Sequence, residues 1–154
     1  MWEKLPDTRR SITHKAVILS EKDGELDRVK FYFTIGFYPD GRPGELFMHM
    51  DEAGSTLDGA ADSFGITVSF SLQNGVTWAK LVEKLAYQQF NPQGMTENPD
   101  LRFVKSYVDY VMRWGALELK KRGAGNAACG VREDDVRQTT DTRPDKTDAG
   151  AEKT

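Results

Sequence analysis

Val29-Lys30-Phe31-Tyr32-Phe33-Thr34-Ile35-Gly36-Phe37 alternates strictly between two faces. Val29, Phe31, Phe33, Ile35 and Phe37 share one face; Lys30, Tyr32, Thr34 and Gly36 share the other. That period of two predicts a strand with one buried side. Working downstream, Asp40-Gly41-Arg42-Pro43-Gly44 carries hairpin chemistry. Glu45 to Met50 then predicts a second strand, with Leu46, Met48 and Met50 inward and Glu45, Phe47 and His49 outward. Upstream, Glu21-Lys22-Asp23-Gly24-Glu25 reads as a turn in which Gly24 is free to take positive φ. A short strand over Lys15 to Leu19 precedes it. Residues 1–13 read as an extended arm, because Pro6 blocks helix at Leu5 and Asp7 to Ser11 has no period.

After Met50 the spacing becomes helical. Ser55 followed by Asp58 predicts a capping box. Leu57, Ala60, Ala61, Phe64, Val68 and Leu72 form one face, and Gly75 suits a C′ stop. Ile66 and Phe70 add apolar surface elsewhere on this helix, so it is expected to be covered on two sides. A second helix follows the N-cap Thr77 and carries Leu81, Val82, Leu85 and Ala86. Phe90-Asn91-Pro92-Gln93-Gly94 breaks it. Asn98, Pro99 and Asp100 predict the start of a third helix. Its apolar residues, Leu101 through Trp114 and Leu117, leave only a narrow polar stripe of Arg102, Lys105, Ser106, Asp109 and Arg113. The expected fold class is α+β, a three-stranded antiparallel meander followed by three helices packed on one face.

The chain has 154 residues, of which 38% are hydrophobic. From Arg122 onward the apolar residues are small or few and no aromatic occurs. That composition cannot offset its ordering entropy, so 122–154 is expected to be a disordered polar tail. The domain organisation is thus an arm over 1–13, a folded unit over 14–121 and the tail. A folded unit of about 120 residues can bury roughly two-thirds of its unfolded surface. The net charge is -3 and the pI about 5.4, which argue against nucleic-acid binding by bulk phosphate neutralisation. Cys129 is the single cysteine, so neither an internal disulfide nor a paired-thiolate metal site is available. Met1 to Pro6 lacks an apolar signal region, and no stretch is long enough to span a membrane. A cytoplasmic location is expected.

Several blocks in order then carry a family likeness: Leu5-Pro6-Asp7 with Arg10-Ser11-Ile12-Thr13-His14-Lys15, and Gly36-Phe37-Tyr38-Pro39-Asp40-Gly41-Arg42-Pro43-Gly44-Glu45. Next come Gly54-Ser55-Thr56-Leu57-Asp58-Gly59, Ser71-Leu72-Gln73-Asn74-Gly75-Val76, and Phe90-Asn91-Pro92-Gln93-Gly94-Met95-Thr96-Glu97-Asn98-Pro99. The series closes with Lys105-Ser106-Tyr107-Val108-Asp109-Tyr110-Val111-Met112-Arg113-Trp114. Over residues 4 to 118 the chain resembles the C-terminal region of adenosylcobalamin-dependent ribonucleotide reductases, similar to what is called the TSCPD domain. The Thr-Ser-Cys-Pro-Asp string itself is absent. The resemblance implies an accessory or small-subunit role beside a large reductase chain, which would hold the adenosylcobalamin, the substrate and the radical cysteine. Family members often end in a cysteine-rich tail; here Cys129 stands alone. No catalytic residue carries over.

The residues offer two candidate sets. One is a ligand set: Gly54, Ser55 and Thr56 at a helix N-terminus, where N–H donors favour an anion, with Arg9, Arg10, His14 or Arg42 supplying charge or hydrogen bonds. Asp58 beside them opposes an anion, and an ordinary N-cap is the simpler reading. The other is a docking set: Phe90, Pro92 and Gly94 in the loop, and Tyr107, Tyr110 and Trp114 on the third helix, residue types that serve interfaces as well as cores. His14 and His49 lack any nucleophile motif such as Gly-x-Ser-x-Gly and any paired-ligand spacing, so catalysis and metal binding are not expected of them. Two functions stay open: a non-catalytic accessory domain of ribonucleotide reduction, and a free-standing, oligomeric nucleotide- or phosphate-binding module. The expected partners are a large reductase chain, a second copy, or nucleotides.

Overall fold

The computed structural model describes residues 1–123. Its elements run β1 (Ser11–Lys22), β2 (Glu25–Phe37), β3 (Pro43–Met50), α1 (Thr56–Gln73), α2 (Trp78–Leu85), β4 (Gly94–Thr96), β5 (Phe103–Val104) and α3 (Tyr107–Lys121). The fold is α+β, as expected, but the sheet has five strands in the order β3-β2-β1-β4-β5, all antiparallel neighbours. β1 and β2 are longer than the sequence predicts, and β1 starts at Ser11, inside the stretch read as an arm. The remainder of the tail, 124–154, lies outside the described residues; Arg122 and Gly123 close α3.

The two added strands come from the stretch between α2 and α3. Asn98-Pro99-Asp100 does not open a helix. Asn98 Oδ1 accepts the Asp100 N–H at 2.9 Å, so these residues form an Asx-type turn joining β4 to β5. Helix α3 begins later, at the N-cap Ser106, whose hydroxyl accepts the Asp109 N–H at 3.1 Å. β4 pairs with β1 through Leu19–Met95 and Ile18–Thr96. Gly94 has φ +151°, and a Cβ there would strike the Leu19 carbonyl oxygen, so only glycine lets the two strands meet. Asn91–Pro92 is cis.

The predicted inward face of β2 is the core. Phe31, Phe33 and Ile35 are at most 1% exposed, joined by Ala16, Ile18, Leu46 and Met48. Helix α3 lies across this face, with Tyr107 and Tyr110 edge-on to Phe31 and Trp114 edge-on to Phe33. Each such side chain contributes about 1.5–3 kcal/mol by burial. α2 packs on α3, and the Trp78 indole N–H donates to the Met112 carbonyl at 3.2 Å. The predicted caps hold: the Ser55 and Thr77 hydroxyls accept the N–H groups of Asp58 and Lys80.

Helix α1 runs along the outer edge of β3. Ser69 Oγ takes the Leu46 N–H at 2.9 Å and donates to the Leu46 carbonyl at 3.1 Å, while Asp58 Oδ1 accepts the Met50 N–H at 3.1 Å. Gly65 permits this approach, since a Cβ there would lie 2.9 Å from the Leu46 carbonyl oxygen. The far side of α1 is not covered as the sequence suggests: Ile66 and Phe70 are 63% and 67% exposed, because the helix meets the sheet along one line.

One polar hub holds α3 in place. The Asp109 carboxylate is fully buried and accepts from the Tyr87 N–H (2.8 Å), the Lys105 N–H (2.9 Å) and the Arg113 guanidinium through both Nε and Nη2 (2.9 Å each). Arg113 also donates to the Phe103 carbonyl at 2.7 Å, tying β5 to the helix.

Candidate functional site

The structure separates the predicted ligand set. Arg9 is committed to Glu45, Nε to Oε1 and Nη2 to Oε2, with Nη1 on the Pro6 carbonyl. That bidentate partner holds the Arg9 pKa above its ordinary value. Arg42 donates to Asp40 and Glu3 and lies over the Tyr38 ring. Arg10, whose side chain has no hydrogen-bond or ion-pair partner among the described residues, and Arg9 line a cleft of about 750 Å³ beside Phe37, Tyr38 and Arg122. The arm residues before it fasten this end of the fold, through Glu3 N–H to the Gln73 carbonyl and the Tyr38 hydroxyl to the Glu3 carbonyl.

Gly54, Ser55 and Thr56 stand apart from that cleft, at the start of α1. Asp58 already accepts the Gly54 N–H at 3.0 Å as well as that of Met50, and these bonds, Gly54's first, hold its carboxyl below the usual range. An incoming phosphate would therefore meet a carboxylate. His14 is placed nowhere near either cluster. Its ring stacks on Trp114 at 4.5 Å, and Nε2 shares a 2.8 Å hydrogen bond with the Tyr110 hydroxyl, which Asn98 also reaches. Burial pushes the His14 pKa below 6.5.

The docking set divides as well. Tyr110 is 1% exposed and belongs to the core, and Gly94 is spent on strand pairing. Phe90, Pro92 and Tyr107 instead gather with Thr56 around a second cleft of about 560 Å³, between the β1–β2 hairpin and the start of α1. Among the described residues no group of three or more His, Cys, Asp or Glu is arranged to hold a metal ion. No helix there is long and apolar enough to cross a membrane.

The feature that residue types alone did not single out is the sheet's second face. Helices cover one side; on the other, Tyr32, Phe47, Met95 and Phe103 are 40%, 50%, 52% and 51% exposed. The register places them on this one face in two groups: Phe47 and Tyr32 on β3 and β2, with Tyr32 between Lys15 and His49, and Met95 and Phe103 beside Leu19 at the β4–β5 end. The outward positions of Phe47 and Tyr32 were readable from the alternation. The contribution of Met95 and Phe103 was not, because it depends on the two short strands.

The TSCPD domain family matches residues 6–117. The chain belongs to the TSCPD domain family. Its TSCPD domain is 46% identical over 112 residues to the vitamin B12-dependent ribonucleotide reductase of Rhodopirellula baltica, covering 73% of this chain and 10% of that protein. It is 46% identical over 88 residues to the reductase of that name from Streptomyces avermitilis, 57% of this chain and 9% of the relative. With the Bradyrhizobium diazoefficiens reductase it shares 35% over 121 residues, 78% and 9%. The TSCPD domain thus spans about a tenth of the length of these relatives. No solved structure matches it.

Proposed function

We propose that this chain is a non-catalytic accessory domain of cobalamin-dependent ribonucleotide reduction, acting by docking its open sheet face onto the body of a reductase. The family match supports the association: the similar proteins are named B12-dependent ribonucleotide reductases, and the shared region is about a tenth of each. The observation that carries the docking is the exposure of Tyr32, Phe47, Met95 and Phe103 on this one face, as two apolar groups toward its opposite ends. Large apolar side chains at half exposure on a flat sheet face are costly to leave wet and typical of an interface core. Lys15, Arg28 and Lys30 border it, and the latter two are already joined to Glu97 and Asp51. In this reading adenosylcobalamin and substrate stay with the reductase body, and this chain touches neither.

The test is titration of the full chain into a B12-dependent reductase lacking its own region of this kind, followed by calorimetry or light scattering. Saturable binding that is lost on combining Phe47→Glu with Met95→Glu supports the reading. Absence of binding, or binding indifferent to both substitutions, refutes it, as does self-association through this face with no affinity for the reductase.

A further inference from the structure

We propose that the cleft between the β1–β2 hairpin and the start of α1 binds a small uncharged molecule with a planar heteroaromatic body, of the nucleoside class. Two hydroxyls carry the argument. Ser20 and Tyr107 line the cleft and are only 6% and 5% exposed, yet neither hydroxyl has a hydrogen-bond partner among the described residues. No fully buried side-chain oxygen there lacks a partner, so both of these open onto solvent. A hydroxyl on an otherwise buried residue that opens only onto a cleft bonds to whatever fills that cleft, and two lining one cleft suit a ligand edge that both accepts and donates.

The rest of the wall selects shape and charge. Leu57 and Ala60 supply an apolar floor, and the Phe90 ring, 39% exposed and edge-on to Tyr107 at 5.4 Å, offers a surface for a flat ring. The volume of about 560 Å³ falls within the span of small-molecule sites. At the rim Glu21 and Asp27 face a single Lys22, and none of the three is in an ion pair. With the Asp58 carboxylate in the first turn of α1, accepting the Met50 and Gly54 N–H groups just before it, this balance opposes a polyphosphate. A neutral ring system fits, and a nucleoside triphosphate does not. The site is separate from the open sheet face, so its occupancy is read on the chain alone, whatever the outcome with a reductase.

The experiment titrates adenosine and cytidine, with ATP as the charged contrast, into the full chain, followed by amide chemical shifts and calorimetry. Saturable shifts centred on Ser20, Thr56, Phe90 and Tyr107 are expected, with ATP the weaker ligand. Tyr107→Phe removes a hydroxyl that bonds to nothing in the fold, so the melting temperature stays put while Kd rises about fivefold, the effect of one hydrogen bond. Ala60→Trp, at an exposed helix position, fills the cleft and abolishes binding. The proposal is overturned by no saturable binding of either nucleoside at millimolar concentration, by affinity that ignores both substitutions, or by ATP binding more tightly than adenosine.

Discussion

Replacing Asp109 by alanine tests whether one buried carboxylate organises the junction of α2, β5 and α3. In the native fold this group satisfies the Tyr87 and Lys105 N–H groups and both arms of Arg113, whose side chain is 12% exposed. Removing one partner of a buried ion pair costs about 3–5 kcal/mol, because the other charge stays desolvated. Each orphaned N–H adds to this, but the contributions overlap, so the total is placed at about 4–5 kcal/mol. That is a large share of the roughly 5–15 kcal/mol that holds a domain of this size together. It corresponds to a melting temperature lower by on the order of 10–20 °C. Urea unfolding followed by tryptophan fluorescence and circular dichroism measures it. Asp109→Asn keeps one acceptor oxygen and falls between the two. Glu83→Ala, which removes an exposed pair with Lys80, is the control and costs under about 0.5 kcal/mol. A loss below about 1 kcal/mol for Asp109→Ala would refute the reasoning.

Three further outcomes follow from other parts of the fold. Burial keeps His14 neutral when folded, whereas the unfolded imidazole takes up a proton near pH 6.5. Its contribution to stability is therefore complete above that pH and declines as pH falls toward the lower folded pKa, with Glu118 partly opposing the shift. Melting temperatures at pH 7.5 and about 5.5 should differ less in His14→Phe than in the native chain. Gly94→Ala forces a Cβ onto the Leu19 carbonyl in a backbone region closed to L-residues, so it costs more than about 1 kcal/mol and speeds amide exchange in β4. Ser69→Ala strands the Leu46 N–H at the sheet edge and lowers stability by about 1–3 kcal/mol in denaturant titration.

What could be read in the sequence was whatever depends on neighbours along the chain. The alternation of Val29 to Phe37 fixes which side of β2 is buried, and Ser55 and Thr77 mark true helix starts because a cap needs only the next few residues. Asn98-Pro99-Asp100 misled for the same reason: an Asx turn and an N-cap use identical local chemistry, and only the pairing of Met95 with Phe103 decides between them. β4 and β5 are three and two residues long, too short to show a period, and they exist because β1 lies alongside. In the sequence Asp109 and Arg113 are simply members of the narrow polar stripe of the third helix. The signal that could have exposed them was an acid and a base four positions apart inside an otherwise apolar helix. Phe90, Pro92 and Tyr107 already stand together in the sequence reading as docking residues, but joining Thr56 to them required the folded chain.

The sealing of β3 by α1 has a consequence for how this molecule can meet others. At one rim the main-chain groups of Leu46 and Met50 are consumed by Ser69 and Asp58; at the opposite rim the Phe103 carbonyl is taken by Arg113. At these positions neither border offers free main-chain groups to which a foreign peptide could add itself as a sixth strand. Under the proposed docking, recognition would rest on side chains meeting side chains. Its specificity would then lie in exposed side chains, Tyr32 and Phe47 toward one end of the sheet face and Met95 and Phe103 toward the other.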